Sequence, residues 1–81
     1  MYYVYAILST GSKYRYIGIT DNVARRVGQH NRGYNATTKP YTPFRLIFVE
    51  EHVDRKSARV REKYLKTGIG REFLDRLIIP N

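Results

Sequence analysis

The chain has 81 residues, no cysteine and two histidines, and its fifteen Lys and Arg against seven Asp and Glu leave a net charge of +8. A chain this short makes a single domain, residues 1–81, and buries only about two-thirds of the surface its unfolded form exposes. Disulfides and thiolate zinc centres are excluded, no run approaches the roughly 18 apolar residues of a membrane span, and the excess charge favours a polyanionic partner, nucleic acid before an anionic membrane surface.

Tyr2 to Leu8 is β-branched and aromatic and reads as a strand. It lacks the basic leader and small-residue cleavage site of a signal peptide, so a cytoplasmic protein is expected. Ser9 to Lys13 is turn chemistry, and Tyr14 to Ile19 makes a second strand in an antiparallel hairpin. A turn centred on Thr10-Gly11 sets Tyr5 opposite Tyr16 and Tyr3 opposite Gly18. Alternation then gathers Tyr3, Tyr5, Tyr14 and Tyr16 on one face, with a gap at Gly18.

Asp21 or Asn22 caps a helix from Val23 to His30 that ends near Gly33. Arg32 to Pro43 reads as a loop. Phe44 to Val49 is a third strand, apolar enough to lie centrally or be covered on both faces. Asp54 opens a longer helix that runs to Lys66 and closes at Thr67-Gly68. Arg71 to Ile79 is a short last helix with Phe73, Leu74, Leu77 and Ile78 as its packing stripe. The predicted order is ββαβαα, an α+β fold with a small three-stranded antiparallel sheet flanked by helices.

The informative residues are polar ones at positions where packing prefers apolar ones. At about 100° per residue, Val23, Arg26, Val27 and His30 share one stripe of the first helix. Spacing alone is satisfied by an Arg26 that snorkels and a His30 with one ordinary hydrogen bond. On the second helix Glu62 lies between Ala58 and Leu65 on the inward stripe, and an ion pair with a neighbouring cation is its plainest role. It is also the best-placed ligand should the domain bind Mg²⁺, because one carboxylate with water and substrate phosphate is ordinary magnesium chemistry. The tyrosines interleave with Arg15, Arg25, Arg32 and Lys39, a pattern suited to stacking on bases and pairing with phosphates. His52, Arg55-Lys56 and Arg59-Val60-Arg61 read as a solvated face that tracks phosphate, with Arg59 among its contacts.

The same residues resemble the GIY-YIG nuclease family in its small stand-alone form. Tyr3-Val4-Tyr5 stands where the family has its first tripeptide, with Tyr3 in place of glycine, and Tyr16-Ile17-Gly18 is the second. Arg26 and then His30 follow on the first helix, and Ala58 to Lys66 is similar to the family's glutamate-bearing helix. The tail Gly68 to Leu74 is also similar. In the loop where some relatives carry a second histidine, this chain has Thr37, Thr38 and Lys39.

The resemblance implies Tyr5, Tyr16, Arg26, His30 and Glu62 as catalytic residues, with Glu62 holding Mg²⁺ or Mn²⁺. It implies phosphodiester hydrolysis in DNA rather than RNA, with structure-selective cleavage of the kind DNA repair uses, by a monomer or a transient dimer on the substrate. One tyrosine serves as general base or positions the attacking water, and His30 orients it or relays its proton. The alternative is a binding module of the same fold without useful turnover.

Overall fold

In the computed structural model, which describes residues 1–78, the elements are β1 (Tyr2–Ser9), β2 (Arg15–Thr20), α1 (Val23–Asn31), β3 (Phe44–His52), α2 (Arg55–Leu65) and α3 (Gly68–Ile78). This is the predicted ββαβαα order, with three antiparallel strands in the spatial order β2-β1-β3. Ile79, assigned to the last helix from sequence, lies outside the described residues.

β1 is central, so β3 is an edge strand and does not take the central place that was one of the two its composition allowed. β1 is the strand covered on both faces: Val4, Ala6 and Ile7 have no exposure and Tyr5 is 1% exposed. On one face Val4, Ala6 and Ile17 pack with Ala58, Leu65 and Leu74, which brings α2 and α3 against the sheet. On the other, Tyr5, Ile7 and Phe44 form a second cluster, joined by Tyr14, Tyr16 and Val27 of the α1 side.

A β-bulge between Ala6 and Ile7 decides how β3 serves both clusters. Ala6 pairs with Phe48 but Ile7 pairs with Leu46, so one extra residue of β3 is inserted. Side chains alternate strictly along a strand, and the insertion reverses which face each one meets. Phe48 therefore packs toward α2 and α3, while Phe44 is buried beside Tyr5.

The helix ends follow local chemistry. Asn22, not Asp21, caps α1 by accepting from the Arg25 N–H at 3.0 Å, and Asp54 caps α2 by accepting from the Ser57 N–H at 2.8 Å. Gly33, at φ 78°, closes α1 as predicted. Its N–H donates to the His30 carbonyl and the Tyr34 N–H to the Gln29 carbonyl, a Schellman closure.

The end of α2 differs from expectation. Gly68 does not take the left-handed conformation; the chain turns at Lys66 and re-enters a helix at once. Thr67 makes this possible, its hydroxyl donating to the Tyr64 carbonyl and accepting from the Gly70 N–H. Gly70 then presses against the end of α2: a Cβ there would fall on the Tyr64 carbonyl oxygen and within 2.5 Å of Leu65 Cα. Read as breakers, these glycines placed the helix start too late. Leu77, assigned to the packing stripe, is 50% exposed, whereas Leu74 is fully buried.

Candidate active site

The hairpin register builds the first part of the site. Tyr5 pairs with Gly18 and Ile7 with Tyr16, because the connection between β1 and β2 is longer than the tight turn assumed from sequence. The register moves by two residues, so the faces are unchanged and Tyr5 and Tyr16 still share one. The gap at Gly18 is occupied by the Tyr5 phenol: a Cβ on Gly18 would lie 2.7 Å from Tyr5 Oη and 2.9 Å from Cζ. Only a strand glycine permits that crossing.

α1 brings His30 onto this phenol. His30 is fully buried and makes two hydrogen bonds, not one: Nε2 lies 2.8 Å from Tyr5 Oη and Nδ1 lies 2.9 Å from Thr38 Oγ1. The Thr38 hydroxyl, itself fully buried, donates its proton to the Asn35 carbonyl at 3.4 Å. In the tautomer that matches this direction, His30 Nδ1–H donates to Thr38 Oγ1 and Nε2 accepts the Tyr5 hydroxyl proton. The rings of Tyr16 and Phe44 close around the imidazole at centroid distances of 4.8 Å and 6.2 Å. Asn31, the next residue, fastens α1 to β3: its Oδ1 accepts from the Phe44 N–H at 2.7 Å and its Nδ2 donates to the Phe44 carbonyl at 3.3 Å.

Burial sets the electrostatics. It pushes the Tyr5 phenol up to about 12, against the pull of the Arg26 guanidinium beside it, with the charges of Tyr16 and Glu62 adding a smaller push upward. Burial also lowers the His30 pKa, and the Arg26 charge lowers it further. At neutral pH the pair is a neutral phenol bonded to a neutral imidazole. Arg26 is half-buried and its Nη1 donates to Gln29 Oε1 at 3.2 Å.

Glu62 sits on α2 with its side chain 14% exposed, Oε1 lying 3.5 Å from Arg59 Nε and Oε2 3.2 Å from Lys66 Nζ. The predicted ion pair is present, and the carboxylate is more enclosed than a surface pair requires. Among the described residues no three His, Cys, Asp or Glu side chains gather to hold a metal. Glu62 nonetheless fits a hard cation that takes one protein carboxylate and completes its shell with water and phosphate. Its two cationic partners are more than half exposed and hold it weakly.

The other cations predicted to meet nucleic acid have varied surroundings. Arg15 is held by Asp75 and Arg25 by Asp21. Arg32 is exposed with its guanidinium 6.0 Å from the Tyr34 ring, and Lys39 lies along Gly33. Arg61 leaves the solvated face assigned to it: it is enclosed by Phe48, Tyr64 and Phe73 and pairs with Glu50 at 3.0 Å. His52 likewise turns to Glu50 and Ser57. Tyr41 stacks on Tyr14 at 4.0 Å with the rings 8° apart.

Thr38 is the participant that sequence reasoning passed over. Its one signal was its place in the loop where some relatives carry histidine.

A three-stranded sheet thus carries a hydrogen-bonded tyrosine and histidine with an arginine beside them and a glutamate on a flanking helix, and comparison with known families gives the class: a nuclease-type catalytic domain. The GIY-YIG catalytic domain matches residues 1–71, and the chain belongs to that family. Among its relatives, a UPF0213 protein of Natronomonas pharaonis is 36% identical over 78 residues, covering 95% of this chain and 89% of its own. A UPF0213 protein of Clostridium perfringens is 36% identical over 82% of this chain and 71% of its own. One from Bacillus cereus is 38% identical over 63% of this chain and 54% of its own. No solved structure matches the chain. Family membership implies nuclease chemistry on a nucleic-acid substrate. Among the described residues no helix is long and apolar enough to cross a membrane.

Proposed function

We propose that the chain is a divalent-metal-dependent endonuclease that hydrolyses phosphodiester bonds in DNA, reading structure and phosphates more than bases. The observation that carries this reading is the buried 2.8 Å bond between Tyr5 Oη and His30 Nε2 beside Arg26. A phenol pushed up to about 12 is not stored as phenolate at neutral pH. It passes a proton instead: the attacking water gives one to Tyr5 Oη as the Tyr5 proton moves to His30 Nε2. The imidazolium so formed keeps its Nδ1–H on Thr38.

Arg26 receives the scissile phosphate, for which its planar fork is suited. The Arg26 charge is also one cause of the low His30 pKa. A phosphate against Arg26 offsets that charge, so substrate makes His30 a better proton acceptor. Tyr16, half-buried against the imidazole, orients the attacking water. Glu62 would hold Mg²⁺ or Mn²⁺, which when bound would polarise the phosphate and offset charge on the leaving oxygen.

A binding module without turnover is the second reading, favoured by the pairing of both Glu62 oxygens with cations. Plasmid, nicked and branched DNA and structured RNA, incubated with Mg²⁺, Mn²⁺ or EDTA, separate the two. Metal-dependent DNA cleavage lost in both Glu62→Ala and Arg26→Ala is the expected result. Salt-sensitive binding with no cleavage would establish the binding module, and cleavage of RNA alone would overturn the choice of DNA.

A further inference from the structure

Arg26 also borders a cleft of about 460 Å³, within the range of about 300–1,000 Å³ typical of small-ligand sites. Its polar lining includes Tyr2, Thr20, Asp21, Arg25, Gln29 and Arg55 beside Arg26. These residues come from the start of β1, the end of β2, α1 and the first turn of α2. The guanidiniums are not equally engaged. Arg25 is paired with Asp21 at 2.7 Å, which also keeps that carboxylate from repelling an anion. The described partner of Arg26 is an uncharged amide. Arg55 makes no ion pair among the described residues; its guanidinium lies 5.9 Å over the Tyr2 ring, which steadies the side chain without neutralising it. Among the described residues, two guanidiniums without an ion-pair partner thus line one cleft, one of them at the Tyr5–His30 pair.

We propose that Arg55 is a second phosphate anchor, holding the backbone phosphate next to the one on Arg26, so that the cleft is a subsite for the adjoining nucleotide. The inference rests on the phosphodiesterase reading of Arg26. The substrate strand then leaves the active site across the C-terminal end of β2 toward the start of α2. The Asp21–Arg25 pair is exposed enough to open, which lets Arg25 join the same phosphate.

The test is binding of a fluorescent branched DNA in EDTA, by anisotropy over a salt series, for the native chain, Arg55→Gln, Arg55→Lys and the exposed control Arg76→Gln on α3. One lost phosphate contact lowers the slope of log K against log[salt] by about one unit. The expected result is that loss in Arg55→Gln, a native slope in Arg55→Lys and in Arg76→Gln, and unchanged melting throughout. On the native chain, methylphosphonate at the phosphate adjoining the mapped cleavage site reproduces the loss, and Arg55→Gln adds nothing to it. A native slope in folded Arg55→Gln, or a methylphosphonate without effect on the native chain, overturns the subsite even if cleavage stands. A lowered slope in a chain that never cleaves keeps Arg55 as a phosphate contact but overturns the nuclease, and with it the subsite beside a scissile phosphate. Absence of DNA binding by the native chain overturns both.

Discussion

Tyr5 Oη and His30 Nε2 stand 2.8 Å apart in a place solvent barely reaches, with Tyr5 1% and His30 0% exposed. Thr38 Oγ1 lies 2.9 Å from the other ring nitrogen of His30 and directs its own proton to the Asn35 carbonyl, the arrangement that suits an Nδ1–H tautomer. The ¹⁵N shifts of His30 should therefore report the Nδ1–H tautomer near neutral pH. Thr38→Val removes the acceptor and should lower kcat about tenfold or more, with a changed tautomer signature, while Thr38→Ser preserves both. A native ¹⁵N pattern in Thr38→Val would remove Thr38 from the relay.

The pH dependence follows from two shifts of opposite sign. His30 is depressed below its ordinary 6.5, so between that value and its folded pKa the unfolded chain binds more protons. Stability is full above pH 6.5 and falls as acid carries the pH down through the folded value. Tyr5 is raised, so stability also falls above pH 10 until about 12 is passed. Denaturant melts over a pH series should show both losses, and His30→Gln should lack the acid one attributable to this group.

The rate profile carries the same logic. The acid limb of kcat/KM should lie below pH 6.5, where His30 titrates. Because loss of the Arg26 charge removes cleavage, its effect on His30 is read by NMR titration of the imidazole: the midpoint stays low in Arg26→Lys, which keeps the charge, and moves upward in Arg26→Gln, since one cause of the depression is gone. An Arg26→Gln midpoint at the native position would detach Arg26 from His30.

Gly18→Ala tests the crossing of the phenol. The added methyl meets the end of a buried ring, which has no room to swing, so a loss of about 1–3 kcal/mol is expected together with lost cleavage. Gly70→Ala meets backbone and should cost at least as much in stability. Gly11→Ala, with nothing within 4 Å of the new methyl, should leave the melting temperature unchanged. Thermal melts of the three variants check the order.

Lys66 competes with any cation for Glu62 Oε2 at 3.2 Å. Lys66→Ala should therefore lower the Mg²⁺ concentration needed for half-maximal cleavage several-fold. Equal or poorer metal use in Lys66→Ala would argue against Glu62 as the ligand.

The sequence by itself determined what depends on near neighbours. Alternation in β1, a cap at Asp21 or Asn22 and another at Asp54, the stop at Gly33 and the inward stripe of Ala58, Glu62 and Leu65 are all written within a few residues of where they act. The set Tyr5, Tyr16, Arg26, His30 and Glu62 was legible through the resemblance to the GIY-YIG family, while periodicity by itself placed Arg26, His30 and Glu62 on inward stripes and the two tyrosines on one strand face. Only the tertiary structure decided the rest. The bulge at Ala6/Ile7 sends Phe44 to one face and Phe48 to the other, the hairpin length lays Tyr5 over Gly18, and the loop carries Thr38 onto His30. Arg61 found an aromatic cage built by three separate elements. Periodicity reports which side of an element is buried, but what lies against that side depends on register and loop path, which are fixed when distant segments pack.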